Sequence, residues 1–249
     1  MLHGNESIAH YKPSNIAIWM LMAFQGGFLN VGGFMACHRF VSHVTGYGTL
    51  VPVELATNGI FEALRVALVP LAFLFGAMVS GYLVDIRLKL HKRPRYYISF
   101  GLIFCVLAVI CITGDQGFLG NFGEPLSLTR DYTLLTLLTF VCGVQNGTIT
   151  TVSKSVIRTT HLSGITTDLG IGLMRVLFRT KIGAEVETES RANFMRMGII
   201  SFFLLGSLVG FEAFTLYQFN GFVLPLITSG TLAFVMIYLS SREQAGAAR

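Results

Sequence analysis

The sequence predicts an all-α, polytopic membrane protein with about six transmembrane helices, arranged as two inverted three-helix repeats. Three observations predict it. The chain is 53% hydrophobic and has a mean hydropathy of +0.65. Only 12% of its residues are charged, about half the usual share of a soluble chain. The charges are also clustered, so that 13–38, 66–84, 96–114, 132–153, 197–211 and 213–241 contain no Asp, Glu, Lys or Arg.

A helix needs about 20 mostly apolar residues to cross a hydrocarbon core of ~30 Å. The charge-free stretches place spans at about 16–36, 66–84, 96–114, 132–153, 196–216 and 221–241. The fifth reaches full length only with Glu212 near one membrane face. Barrel strands would be about 10 residues long and alternating, so these continuous apolar runs exclude a β-barrel. The first run is longer than the apolar core of a secretory signal, and its leader is weakly charged, with only Lys12 near the run; it reads as a span.

Orientation follows from the basic residues, which favour the cytoplasmic side. The 85–95 joint carries Arg87, Lys89, Lys92, Arg93 and Arg95 against Asp85, and is expected inside. The 115–131 joint carries Asp115, Glu124 and Asp131 against Arg130, and is expected outside. Both termini are then expected on the cytoplasmic side, and 15 of the 18 Lys and Arg face inward, all but Arg39, Arg65 and Arg130. This bias accounts for the net charge of +5 without nucleic acid. The four cysteines, Cys37, Cys105, Cys111 and Cys142, lie in or beside apolar runs and read as packing residues. Residues 183–194 are charge-rich and read as a solvated cytoplasmic loop.

The chain is read as one membrane domain, 1–249, with repeats over about 13–114 and 131–241. Gly27-Phe28-Leu29-Asn30 followed by His43-Val44-Thr45-Gly46-Tyr47-Gly48-Thr49 is matched by Gly143-Val144-Gln145-Asn146 followed by His161-Leu162-Ser163-Gly164-Ile165-Thr166-Thr167. Both fit G-x-x-N, a gap, then H-x-[ST]-G-x-x-T. The offset is 116 residues for the first part and 118 for the second. Phe73–Val79 resembles Phe203–Val209 at an offset of 130. Three crossings per half is an odd number, so the second half is inverted. Inverted repeats around interrupted helices are a transporter signature.

Broken backbone at membrane depth survives only where protein or a water-filled cavity covers it. Segments 40–60 and 156–176 are expected to hold such breaks, with Thr45 and Ser163 as capping hydroxyls opening short helices over 47–58 and 165–177. The candidate substrate-binding residues are Asn30, His43, Thr45, Gly46, Thr49, Asn146, His161, Ser163, Gly164, Thr167 and Asp168, meeting near the midplane. For each there is a structural alternative. The amides serve as interhelical glue, the histidines as satisfied core residues, the glycines as packing or turn residues, and Asp168 as a solvated charge.

No metal site is expected, since there is no HExxH and His38 and His43 diverge on a helix. No phosphate-binding loop, dinucleotide fingerprint or nucleophile elbow is present, so no cofactor and no enzymatic activity are expected. The expected partners are the lipid bilayer and a small polar or ionic substrate. A homodimer is compatible with so few spans.

The stretches Gly27–Asn30 with Phe40–Gly46, and Cys142–Asn146 with Arg158–Leu169, resemble the two signatures of the YoaK-like bacterial membrane proteins. That resemblance implies a roughly six-spanning inner-membrane protein and supplies no activity. Two positions depart from the pattern: Asn30 stands where the family often has an acid, and Tyr47 where it often has Asn. If that acid couples transport to protons in relatives, coupling here is lost or relocated, with Asp168 the remaining candidate. Two other readings stand beside a transporter or channel. One is a non-transporting scaffold or partner subunit. The other is an intramembrane enzyme acting on a lipid substrate, for which no nucleophile–base pair is visible.

Overall fold

The computed structural model describes residues 13–124, 129–152, 161–182 and 186–247. Among the described residues every element is helical. In order they are α1 (Pro13–Cys37), α2 (Val44–Thr57), α3 (Ile60–Ser80), a π-helical turn (Gly81–Ile86), α4 (Arg87–Lys89), α5 (Tyr96–Gly114), α6 (Thr129–Val152), α7 (Leu162–Leu177), α8 (Arg179–Ile182), α9 (Val186–Tyr217), a 3-10 turn (Gln218–Phe222) and α10 (Val223–Ala247). This is a polytopic α-helical membrane protein. Five helical stretches are long and apolar enough to cross a bilayer: Asn15–Cys37, Ile60–Lys89, Tyr96–Gly114, Tyr132–Thr151 and Glu187–Ser241. The last contains both α9 and α10, broken at the 3-10 turn by Gln218, whose φ is +48°.

The stretches differ in burial. The apolar windows of α1 and α6 are 56% and 67% buried, against 22–33% for the others, so α1 and α6 form the centre. The periphery turns apolar side chains outward, as a lipid-facing helix must. On α3 the outward stripe is Phe61, Leu64, Leu68, Leu71, Phe75 and Met78, and it continues to Tyr82 in the π-helical turn.

Packing runs crosswise between the two halves. α1 packs along α9, α3 along α6, and α5 against α10. At the α1–α9 crossing, a methyl on Gly27 would overlap the Phe203 carbonyl oxygen, and one on Gly206 would overlap that of Phe24. At the α3–α6 crossing, Gly143 lies against the Phe73 carbonyl and Gly76 against that of Phe140. Every residue of the first crossing maps onto one of the second by the 116- and 130-residue offsets of the sequence. One turn further on, Gly147 meets Ser80 while Gly210 meets Val31. The same positions touch, with the smaller and larger residue exchanged. Small residues let membrane helices approach closely where no hydrophobic force draws them together.

Three sequence expectations need correction. The second long helix begins at Ile60, six residues before the expected span, because 60–65 (IFEALR) is helix-forming and its Glu62–Arg65 pair stabilises the first turns. Residues 186–194 are helical rather than a loop: Glu187 pairs with Arg191 one turn on, and the helix runs unbroken into the apolar stretch. Thr45 and Ser163 do not cap α2 and α7. They sit inside the first turn, and the caps are His43 and His161, which make no side-chain capping bond. Both cap residues have nearly the same backbone, φ −98°, ψ 68° and φ −95°, ψ 65°.

Candidate functional site

The first signature folds back on α1. Asn30 lies two turns before the end of α1, about 10 Å at 1.5 Å per residue. Its Oδ1 accepts hydrogen bonds from Ser42 Oγ (3.0 Å) and from the Ser42 backbone N–H (3.3 Å). Residues 38–43 therefore return into the molecule and start α2 below the end of α1. The end of α1 is itself held by Gly123, which donates its N–H to the Ala36 carbonyl (3.1 Å) and lies 2.8 Å from His38 Nε2 through its own carbonyl. α2 then runs back along α3. The His43 ring lies so close to Gly46 that a Cβ there would be 2.9 Å from Nδ1. Gly46 thus makes room for the imidazole, and Tyr47 Oη ties the turn by donating to the Phe40 carbonyl at 3.0 Å.

The second signature shares the backbone of its cap residue and the packing of its short helix on a long one. Asn146 is buried on α6, and α7 packs along α9. Arg158–Thr160 lie outside the described residues. Thr45, Thr49, Ser163, Thr167, Asp168, His43 and His161 are exposed, and Gly46 and Gly164 half-buried. Thr167 donates to the Ser163 carbonyl at 2.9 Å. The two short helices do not pack together; α2 rests on α3 and α7 on α9. The expected meeting of the two signatures at one midplane site is not formed in this arrangement.

What occupies the centre is a polar cluster of other residues. Gln25 Nε2 on α1 donates to Gln145 Oε1 on α6 (3.2 Å) and to Ser229 Oγ on α10 (3.0 Å). Thr228 Oγ1 donates to Gln25 Oε1 (2.6 Å), and Gln145 Nε2 to the Met22 carbonyl (2.7 Å). Gln25, Gln145 and Ser229 are at most 1% exposed. A second interhelical pair, Ser80 Oγ with Thr148 Oγ1 at 2.8 Å, joins α3 to α6. Gln25 interrupts the longest early apolar run and Gln145 stands in the second signature beside Asn146, so both were visible in sequence. Nothing in sequence showed that they touch.

The chain matches the family model described as Protein of unknown function (DUF1275) over residues 18–238. The chain belongs to this family. The match covers α2 to α9 whole and most of α1 and α10, and the family supplies no activity. No curated protein and no solved structure matches the chain, so the YoaK-like label remains a resemblance carried by the two signatures.

A third polar group lies at the base of α9. Arg196 donates to Glu189 Oε1 (2.7 Å) and to Asn193 Oδ1 (2.6 Å), and Arg175 on α7 reaches Glu189 Oε2 at 3.3 Å. The Arg196 and Glu189 side chains are 13% and 19% exposed. Gly172 of α7 presses directly on this group, which fixes α7 to α9 by charge where α2 is held to α3 without any.

Proposed function

We propose that the protein is a small secondary transporter or channel of the bacterial inner membrane, with six crossings, both termini cytoplasmic and two inverted repeats. The observation that carries the reading is the doubled crossing. Gly27 against Phe203 and Gly143 against Phe73 are the same contact made twice with the halves exchanged. Each half contributes one helix to each crossing, so α1, α7 and α9 form one unit and α2, α3 and α6 another, with α5 and α10 packed on each other beside them. Two such units, related by pseudo-symmetry and touching through α1 and α6, have the parts needed for rocking about a central site. The matched caps at His43 and His161 and the inward return of α2 support it as well. The signature residues Asn30, His43, Thr45, Gly46 and Thr49 flank one end of the path. Asn146, His161, Ser163, Gly164, Thr167 and Asp168 flank the other.

The test is flux. Purified protein reconstituted in vesicles is assayed with ions, amino acids, organic acids, sugars and nucleobases, alongside Asn30→Leu and His161→Ala. Entry of at least one solute class above protein-free vesicles, reduced in the variants, is expected. No flux of any class, with correctly inserted protein, would overturn the reading in favour of a scaffold or partner subunit. One observation favours that second reading: the cleft beside Trp19, Met22, Tyr96 and Phe100 measures only about 10 Å³, room for about one water molecule.

A further inference from the structure

Resting on the transport reading, we infer that the Gln25–Gln145–Thr228–Ser229 cluster is the solute site, and that the solute is uncharged and hydrogen-bonding. Three observations lead there.

The cluster lies where the two units touch. Gln25 belongs to α1 and Gln145 to α6, so relative motion of the units must remake the Gln25–Gln145 and Gln145–Met22 bonds, while Thr228 and Ser229 reach Gln25 from α10, which packs on α5 outside both units. Its chemistry is mixed, with amide N–H groups, amide carbonyls and hydroxyls converging within 3.2 Å of one another.

The packing of the halves does not demand these residues. Through the 116-residue offset Gln25 corresponds to Val141, and Gln145 to Leu29. Both counterparts are fully buried. On one side of the pseudo-axis the interface is closed with Val and Leu, and on the other it carries two carboxamides. The amides are hydrogen-bonded in this arrangement and so escape most of the desolvation cost, but their apolar counterparts show that close packing at this position does not require them. Next to the cluster, one turn along α1, lies the small cleft lined by Trp19, Met22, Tyr96, Phe100 and Thr148. Met22, one of its lining residues, is also the residue whose carbonyl accepts from Gln145.

The interior offers nothing to neutralise a charge. Among the described residues, the buried polar side chains are all amides and hydroxyls, and no Asp, Glu, Lys, Arg or His is buried. Carbonyl and hydroxyl oxygens can ligate a small cation, but a charged organic solute would have no counter-charge here and would be far more costly to bury than a hydrogen-bonded neutral one. Amides and hydroxyls can instead exchange their mutual bonds for bonds to a neutral solute.

The experiment is cysteine accessibility in vesicles, using protein whose four native cysteines are replaced by alanine. Single cysteines are placed at Ser229→Cys, the conservative reporter, at Gln25→Cys, and at the mirrored apolar position Val141→Cys. Only a thiolate in contact with water reacts appreciably. Uncharged N-ethylmaleimide is expected to modify positions 229 and 25 at least about tenfold faster than 141. The cationic trimethylammonioethyl and anionic sulfonatoethyl methanethiosulfonates are expected to leave all three unmodified. Reaction of 229 or 25 with the charged reagents would overturn the uncharged class while leaving a hydrated transport path in place. Equal inertness at 229, 25 and 141 would show sealed packing and overturn the site; flux into vesicles then decides the transport reading on its own.

Discussion

Replacing Gly143 with alanine puts a methyl group where α6 meets the backbone of α3. The obstacle is the Phe73 carbonyl, which is fixed in its helix and has no rotamer to escape into. Alanine gains about 1 kcal/mol of helix propensity over glycine. Overpacking a well-filled contact costs about 1–3 kcal/mol, occasionally more, and an immovable neighbour puts this site at or beyond the upper end. The net expectation is a loss of about 2 kcal/mol, a factor of about 30 in the folded ratio. Gly101→Ala is the control: its position on α5 has nothing within 4 Å, so the variant keeps the propensity gain alone. The assay is denaturation in detergent followed by the fluorescence of Trp19, the one tryptophan of the chain, which is buried on α1. Gly27→Ala, the mirrored change, is expected to behave as Gly143→Ala does. Gly143→Ala as stable as Gly101→Ala would refute the close crossing. A large loss in one mirrored variant and none in the other would refute their equivalence.

Asn30→Leu removes the acceptor for both Ser42 bonds and is expected to cost about 1–3 kcal/mol; hydrogen exchange should quicken at Ser42–Tyr47 ahead of α1, and unchanged exchange there would exclude the tether. Arg196→Gln leaves Glu189 and Asn193 short of their shared donor and is expected to lower stability by about 2–4 kcal/mol, with part recovered in Glu189→Gln/Arg196→Gln; additive losses in the double variant would contradict a coupled pair. Ser80→Ala deletes one hydroxyl of a single pair and should cost only about 1 kcal/mol; a loss comparable to that of Gly143→Ala would mean the pair has a larger role than glue.

The apolar runs of the sequence foretold the helices because length and hydropathy suffice for that. α5, with no charge over 96–114, has the bounds Tyr96–Gly114 that its run predicts. Boundaries failed where charge and helix coexist, as at Ile60–Arg65 and Val186–Arg196, since hydropathy cannot distinguish a charged helix from a loop. The histidines, asparagines and glycines of the signatures stood out by recurrence, and the structure gives the glycines their packing partners. Recurrence misled about the centre. Gln25 and Gln145 have no polar counterparts in the other half, so self-similarity passes over them. Their contact spans 120 residues and depends on how α1, α6 and α10 cross, which no local pattern encodes.

The crosswise pairing also sets the order in which the protein can assemble. α1 is made first, yet its main packing partner, α9, begins 149 residues after α1 ends, from Cys37 to Val186. At about 5–20 residues per second, the first helix waits about 7–30 s for it, holding Gln25 in lipid or in the insertion machinery meanwhile. Neither half can close its own core, so a truncated product is left with glycine-lined faces that only the missing half can cover. A chain cut between α5 and α6 and supplied as two fragments should reassemble at the membrane, whereas either fragment alone should be left to quality-control proteolysis.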